Sequence, residues 1–348
     1  DIVAIDGKIA WVGTGTPPKG DYEIIDSAGQ IVAPGFIDLH THLRQPGYEN
    51  KETIATGTRA AARGGFTTVC AMPNTEPAID NRTTVVYVKC VASSEATVRV
   101  LPIGCISKGR KGENLAELGE MADAGVIGFS DDGSSVPGAR LLKQAMEYTT
   151  AIGLPIIEHC EDSSLAEGGQ VNEGVIATQL GLAGIPNAAE DIIVARDIAL
   201  AKLTGARLHL CHISTRDAVS LIRQAKADGV EVTAEATPHH LTMTEERALG
   251  YDTNAKVNPP LRTQADVDAL IEGLIDGTID AIATDHAPHA DNDKCCEFSL
   301  SPFGISGLET AFGSLMKLVH DGKVTLPLII EKLTTAPVGI IGKNHGIN

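Results

Sequence analysis

The sequence lacks most features of a membrane protein or a nucleic-acid binder. No apolar run reaches the length of a bilayer span, so no membrane helix is expected. There is no basic run either: 28 Lys and Arg stand against 45 Asp and Glu, a formal charge of −17. That surplus repels phosphate backbones and anionic lipid surfaces. No internal repeat or low-complexity tract interrupts the chain. Asp1 opens no signal peptide, and without an initiator Met a missing N-terminal piece is expected. The seven cysteines are odd in number and scattered, which reads as reduced thiols in a cytoplasmic protein. "GTGTPP" is Gly-rich but precedes no helix, so it is a weak phosphate loop. Asn81-Arg82-Thr83 fits a glycosylation acceptor, which carries little weight in a cytoplasmic chain.

What is present points to a large core. Hydrophobic residues make up 43% of 348 residues and charged ones 21%, which suits one α/β barrel with attachments. Residues 1–32 read as short strands and turns, "DIVAIDGKIAWVG" and "YEIIDSAGQIVAPG", part of a small β domain. From there, short apolar runs alternate with Ala-rich helical stretches, the rhythm of a parallel sheet. Eight runs stand out: "GFIDLH", "TTVCAM", "VRVLPIG", "GVIGFS", "PIIEH", "RLHLCH", "EVTAEA" and "DAIAT". Helices are expected at Lys51–Arg63, Leu115–Ala124, Ala139–Ile152, Ala188–Leu203 and Thr215–Ala227. The fold class is α/β, a (β/α)8 TIM-type barrel over 33–335 with a small, incomplete β domain. Residues 336–348 form a tail expected to return to that domain. The stretch after the eighth run, His289 to Pro302, lacks periodicity and reads as an active-site loop.

The chemistry sits where the runs end. In "GFIDLHTHLRQPG", His40 and His42 alternate on a strand and can face one way. A lone His-x-His pair is weak. However, the fourth run ends in Asp131 and Asp132, the fifth in His159, the sixth in His212 and the eighth in Asp285. The active sites of such barrels form at these carboxyl ends. Four imidazoles and two carboxylates without thiolate suit zinc or a related ion, and they exceed the ligands of one tetrahedral ion. They suit two ions sharing a bridge. Asp132 is preferred over Asp131 as that bridge, being nearer the mouth. Cys160 and Cys211 each neighbour a histidine, so strand alternation turns them outward. Arg44 is the next alternate residue after His42 and faces the mouth. Asn74 and Asn258 are open between a site role and an ordinary turn role beside proline. His289 is open in the same way, as a solvated loop histidine. His239 and His240 of "TPHHL" are expected to be supporting residues, and Glu161 and Asp162 loop or capping residues.

Together these motifs are similar to those of the amidohydrolase superfamily, and most of all to bacterial-type dihydroorotases. The resemblance runs from "GFIDLHTHLRQPG" through "AMPNT", "GFSDDG", "HCED", "CHIST", "TPHHL", "VNPPLR" and "TDHAPH" to "PFGISGLET". It implies a binuclear zinc barrel that interconverts N-carbamoyl-L-aspartate and dihydroorotate in pyrimidine synthesis. By position, His40, His42, Asp132, His159, His212 and Asp285 would be metal ligands. His42, Arg44, Asn74, Asn258, His289 and the Phe303-Gly304 segment would hold substrate. The implied mechanism has hydroxide shared by the ions attacking the ring amide, with Asp285 shuttling the proton. It also implies a homodimer and association with aspartate transcarbamoylase. Two departures stand out. Many relatives bridge their metals with a carboxylated lysine at the end of strand four, and "GFSDDG" has none. The C-terminal "VGIIGKNHGIN" also departs from the usual longer segment. The rival readings are an allantoinase or hydantoinase, and an inactive scaffold for a transcarbamoylase. The usual substrates of those cyclic amidases carry no ring carboxylate to pair with Arg44.

Overall fold

The computed structural model describes residues 1–342. Its framework is a closed ring of parallel strands. Phe36–Thr41 pairs with Phe66–Ala71, which pairs with Arg99–Pro102. Ile156–Glu158, Leu208–Leu210, Val232–Ala236 and Ala281–Ile282 follow in the same parallel sense. The fourth position is short, with backbone hydrogen bonds to its neighbours from Ile127 to Ser130. Phe129 bridges Gly104 on one side and Ile156 on the other. A parallel bridge from Thr41 to His286 closes the ring.

The helices fall close to their sequence signals. Ala139–Ile152 matches in full, and Ala188–Thr204 and Arg216–Ala227 differ by one residue. The first helix starts at Ile54 rather than Lys51. Thr53 accepts from the Thr56 N–H at 3.1 Å and fixes that start. Lys51 and Glu52 are thereby left outside the helix, at the mouth of the barrel. Helix Leu118–Ala124 likewise starts three residues later than its signal.

Two apolar layers hold the ring. The larger lies between strands and helices and includes Phe66, Val69, Met121, Leu142, Met146, Val194 and Ile222. A smaller one includes Cys70, Met72, Ile103, Ile157, Cys211 and Ala283, with Ile340 and Ile341 against it. Those last two belong to helix Thr335–Ile341, where Arg207 donates to the Ile340 carbonyl at 2.6 Å. The described part of the expected tail therefore packs on the barrel, not on the N-terminal strands. Residues 343–348 lie outside the described residues.

The N-terminal strands need a correction too. Ile2–Ile5 and Lys8–Val12 form an antiparallel hairpin through Asp6 and Gly7, both at positive φ. "YEIIDSAGQIVAPG" forms no strand. Its Ile24, Ile25, Ile31 and Val32 are exposed, and no strand among the described residues pairs with it. No described helix is long and apolar enough to cross a membrane. The seven cysteines form no disulfide.

Candidate active site

All six candidate metal ligands meet at the carboxyl end of the ring. Asp132 stands at the centre. Its carboxylate lies 3.4 Å from His40 Nε2, 3.4 Å from His42 Nε2, 3.6 Å from His159 Nδ1 and 3.5 Å from His212 Nε2. Ligand atoms fall into two sets that share it: His40, His42 and Asp132, then Asp132, His159 and His212. Asp285 flanks the first set, 3.1 Å from His42 Nε2 and 3.5 Å from His40 Nε2. All six are buried. Burial raises the Asp132 carboxyl, but His40 and the adjacent His159 and His212 rings hold it well below the usual range. Asp285 behaves alike: burial opposes its charge, and His40 and His42 keep it a carboxylate.

Backbone geometry aims these groups. His212 has φ +32° and Asp285 has φ +48°, unusual for side chains with a Cβ. The turn at His212 breaks strand alternation and corrects one expectation. Cys211 faces inward, within ligand reach of His40 and Glu235, while His212 still reaches Asp132. Burial pushes the Cys211 thiol well up, so it stays protonated. Cys160 does face the helices, 3.8 Å from Asp197.

The neighbouring aspartate has a different task. Asp131 accepts from Ile106 N–H at 2.9 Å, from Ser107 N–H at 3.0 Å and from the Ser107 hydroxyl. Ser130 accepts from the Asp132 N–H at 3.0 Å. Asp38 ties the first strand to the eighth through Thr284 N–H at 3.0 Å. Burial pushes its carboxyl up to about 7.

Behind the ligands lies a layer the sequence reading did not identify. His40 Nδ1 is 2.8 Å from Glu235, whose other oxygen is 3.1 Å from His209 Nε2. Burial raises the Glu235 carboxyl, but its bonds to His209 and His40 prevail and bring it down to about 2. Glu235 fixes the His40 ring so that Nε2 faces Asp132. The signal was an acid flanked by alanines inside a buried strand. His240 is held between Thr237 Oγ1 at 2.9 Å and the Pro259 carbonyl at 2.9 Å. Nε2 of its neighbour His239 is buried without a hydrogen bond. Asp162 caps a short helix, and Glu161 lies 3.9 Å from His159 Nε2 and bonds Asn258.

The candidate substrate residues lie at several points around the mouth, and Arg44, His289 and Phe303-Gly304 meet at the loop after the eighth strand. Asn74 accepts from His42 Nδ1 at 2.8 Å, so it supports a ligand as well as lining the site. Asn258 Oδ1 is buried with no hydrogen bond, an acceptor awaiting a donor. Arg44, at φ +63°, donates from Nε to the Pro288 carbonyl at 3.2 Å. His289 Nε2 lies 2.7 Å from the Phe303 carbonyl. Gly304 has φ +121°, and a Cβ there would meet the Ala287 carbonyl oxygen at 2.7 Å, so only glycine fits. The loop between is pinned by two lysines that sequence reasoning missed. Lys256 donates to the Phe298 carbonyl at 2.8 Å and Lys294 to the Pro302 carbonyl at 2.8 Å.

The donor set fits a divalent pair. His40 Nε2 and Asp132 Oδ1 are buried, aimed at one another and without hydrogen-bond partners. His159 Nδ1 and His212 Nε2 converge to 3.0 Å beside Asp132. Imidazole and carboxylate lone pairs converging in this way suit zinc-type ions.

Comparison with known proteins agrees with this geometry. A family profile described as dihydro-orotase-like matches residues 29–218. A dihydroorotase of Caldanaerobacter subterraneus is 54% identical over 94% of this chain and 76% of its own. One from Pelotomaculum thermopropionicum is 52% identical over 99% of this chain and 81% of its own. Among solved structures, the L-hydantoinase of Arthrobacter aurescens superposes with a TM-score of 0.87 at 28% identity, covering 98% of this chain and 78% of its own. Half-identity to dihydroorotases along almost all of its described barrel outweighs the lower identity to a hydantoinase of the same shape: the chain belongs to the dihydroorotase family.

Proposed function

We propose that the protein is a zinc-dependent dihydroorotase that closes N-carbamoyl-L-aspartate to L-dihydroorotate and reopens it. The observation that carries this is Asp132, set among four histidines, with Asp285 at the edge and Arg44 at the mouth. His40, His42, Asp132 and Asp285 would hold one zinc ion. Asp132, His159 and His212 would hold the other. When bound, such a pair supplies an activated water at neutral pH and polarises an amide carbonyl.

The chain's own groups do the rest. Asp285, kept ionised by His40 and His42, takes the proton of the attacking water. It then gives that proton to the departing ring nitrogen, and synthesis runs the same transfers backwards. Arg44 offers a fork of donors to the substrate's α-carboxylate. The Asn74 amide N–H and the Phe303-Gly304 backbone lie beside that carboxylate. Asn258 Oδ1 accepts from a ring or carbamoyl N–H. His42, through its bond to Asn74, joins the metal side to the substrate side. The working unit is a cytoplasmic homodimer that associates with aspartate transcarbamoylase, and sizing chromatography with and without that enzyme tests both points.

The deciding experiment is ring opening of dihydroorotate by purified protein, with hydantoin and allantoin as controls. Turnover confined to dihydroorotate supports the reading. Preference for hydantoin would transfer the protein to the hydantoinase side, and no turnover by zinc-loaded protein would leave a scaffold.

A further inference from the structure

Lys51 and Glu52 are adjacent, opposite in charge and outside the first helix, and each grips a histidine that follows the eighth strand. Lys51 Nζ lies 3.3 Å from His289 Nδ1. An ammonium can only donate, so Nδ1 accepts and the ring hydrogen sits on Nε2. Nε2 in turn donates to the Phe303 carbonyl at 2.7 Å. One imidazole thus carries a mechanical link from Lys51 to the Phe303-Gly304 backbone. Burial pulls the His289 pKa down to about 4, so the ring is neutral near pH 7 and keeps this tautomer. Asp293 lies 3.8 Å from Lys51 Nζ and 3.9 Å from His289 Nδ1 and holds the ammonium between them. The Tyr48 ring lies 5.8 Å from the same ammonium.

Glu52 completes the grip from the other side. It accepts from His286 Nε2 at 3.0 Å, while His286 Nδ1 accepts the Gly307 N–H at 3.1 Å. Arg44 meanwhile binds the carbonyl of Pro288, the residue before His289. Two cations from the first barrel loop therefore hold successive residues of the eighth.

We propose that Lys51 is a positioning residue for the carboxylate-bearing substrate, acting through His289 to hold the Phe303-Gly304 segment beside Arg44. This rests on the reading of Arg44, His289 and Phe303-Gly304 as the substrate side of the site. Lys51 acts on binding rather than on the reacting amide, because its contacts end at the carboxylate side.

The test uses full-length, metal-loaded protein and steady-state kinetics with dihydroorotate. Lys51→Met should raise KM about tenfold, the size of one lost charge-assisted hydrogen bond, and leave kcat within about twofold. Lys51→Arg should recover most of the loss. In a His289→Ala background, Lys51→Met should add nothing, since its route is gone. Long-range nitrogen–proton NMR correlations should show His289 as one tautomer in wild type and as a mixture in Lys51→Met. An unchanged KM, a fall in kcat alone, or a full Lys51→Met effect without His289 would overturn the proposal. Arg44→Met serves as the control. If it leaves KM untouched, the substrate-side reading falls and this proposal with it. If it raises KM and Lys51→Met does not, only the proposal falls.

Discussion

The two sides of the barrel mouth are built on different principles. The metal side comes from strand ends, and buried carboxylates and amides fix its rings from behind: Glu235 for His40, Asn74 for His42. The proposed substrate side comes from loops, and its parts are fixed by long cations reaching for backbone carbonyls: Arg44 to Pro288, Lys256 to Phe298, Lys294 to Pro302. Short arms on a rigid sheet suit ions, whose ligand distances tolerate little error. Long arms on loops suit a substrate that must enter and leave. The contrast predicts that damage to the first side appears as lost metal and lost chemistry, and damage to the second as lost binding.

The largest effect should come from the group proposed to carry the proton. Asp285→Asn keeps the size of the side chain and one oxygen but accepts no proton. Its kcat should fall about 10²–10⁴-fold with the fold intact by circular dichroism. A variant retaining a tenth of the activity would put the proton shuttle elsewhere. Next comes Arg44→Met on the other side. It should cost about 2–5 kcal/mol in kcat/KM with metal content unchanged by elemental analysis. Loss of metal in that variant would blur the division between the two sides.

A smaller loss should follow from Glu235→Gln, which never touches substrate. Weakening the support behind His40 should lower metal affinity about 10–100-fold, read by competition with a chelating dye. Activity at saturating zinc should then recover most of the way. The smallest expected effect is none at all. With Asp132 as the proposed bridge, metal-free protein should regain activity with zinc alone, and added bicarbonate should change nothing. Asp132 has a short arm, so the two ions should also leave at unequal rates under chelation. Bicarbonate-dependent recovery would mean that a modified lysine, not Asp132, bridges the metals.

Much of this was legible because strand ends announce themselves. His40, His42, His159, His212 and Asp285 each close an apolar run, and a parallel barrel brings such ends together whatever lies between them. The choice between Asp131 and Asp132 was harder, since neighbours differ only in direction. The structure separates them through Ser107 and Ile106, which take up Asp131. The second layer was hidden for a physical reason. Glu235 lies within a strand, Lys51 reads as part of a helix, and Lys256 sits in an irregular stretch. Each matters through a partner far away in sequence, and no local period reports that. Cys211 was misplaced because alternation holds only while φ stays extended, and His212 breaks it. The strand expected in "YEIIDSAGQIVAPG" failed because apolar content alone gives no pairing partner.

The positive φ values at Arg44, His212 and Asp285 carry a consequence for anyone improving this protein. A residue with a Cβ held in that region costs of order 1 kcal/mol or more, which glycine, and to a lesser degree asparagine, would return. A library sorted only for heat resistance would therefore enrich glycine at the very positions that supply the guanidinium, an imidazole of the candidate metal site and the proposed proton carrier. Its winners would be sturdier and inert. Selection in a living population that depends on the activity runs the other way and keeps three uncomfortable residues in place. Any campaign for a robust variant needs a turnover gate at every round, and these three sites are where its absence would first be felt.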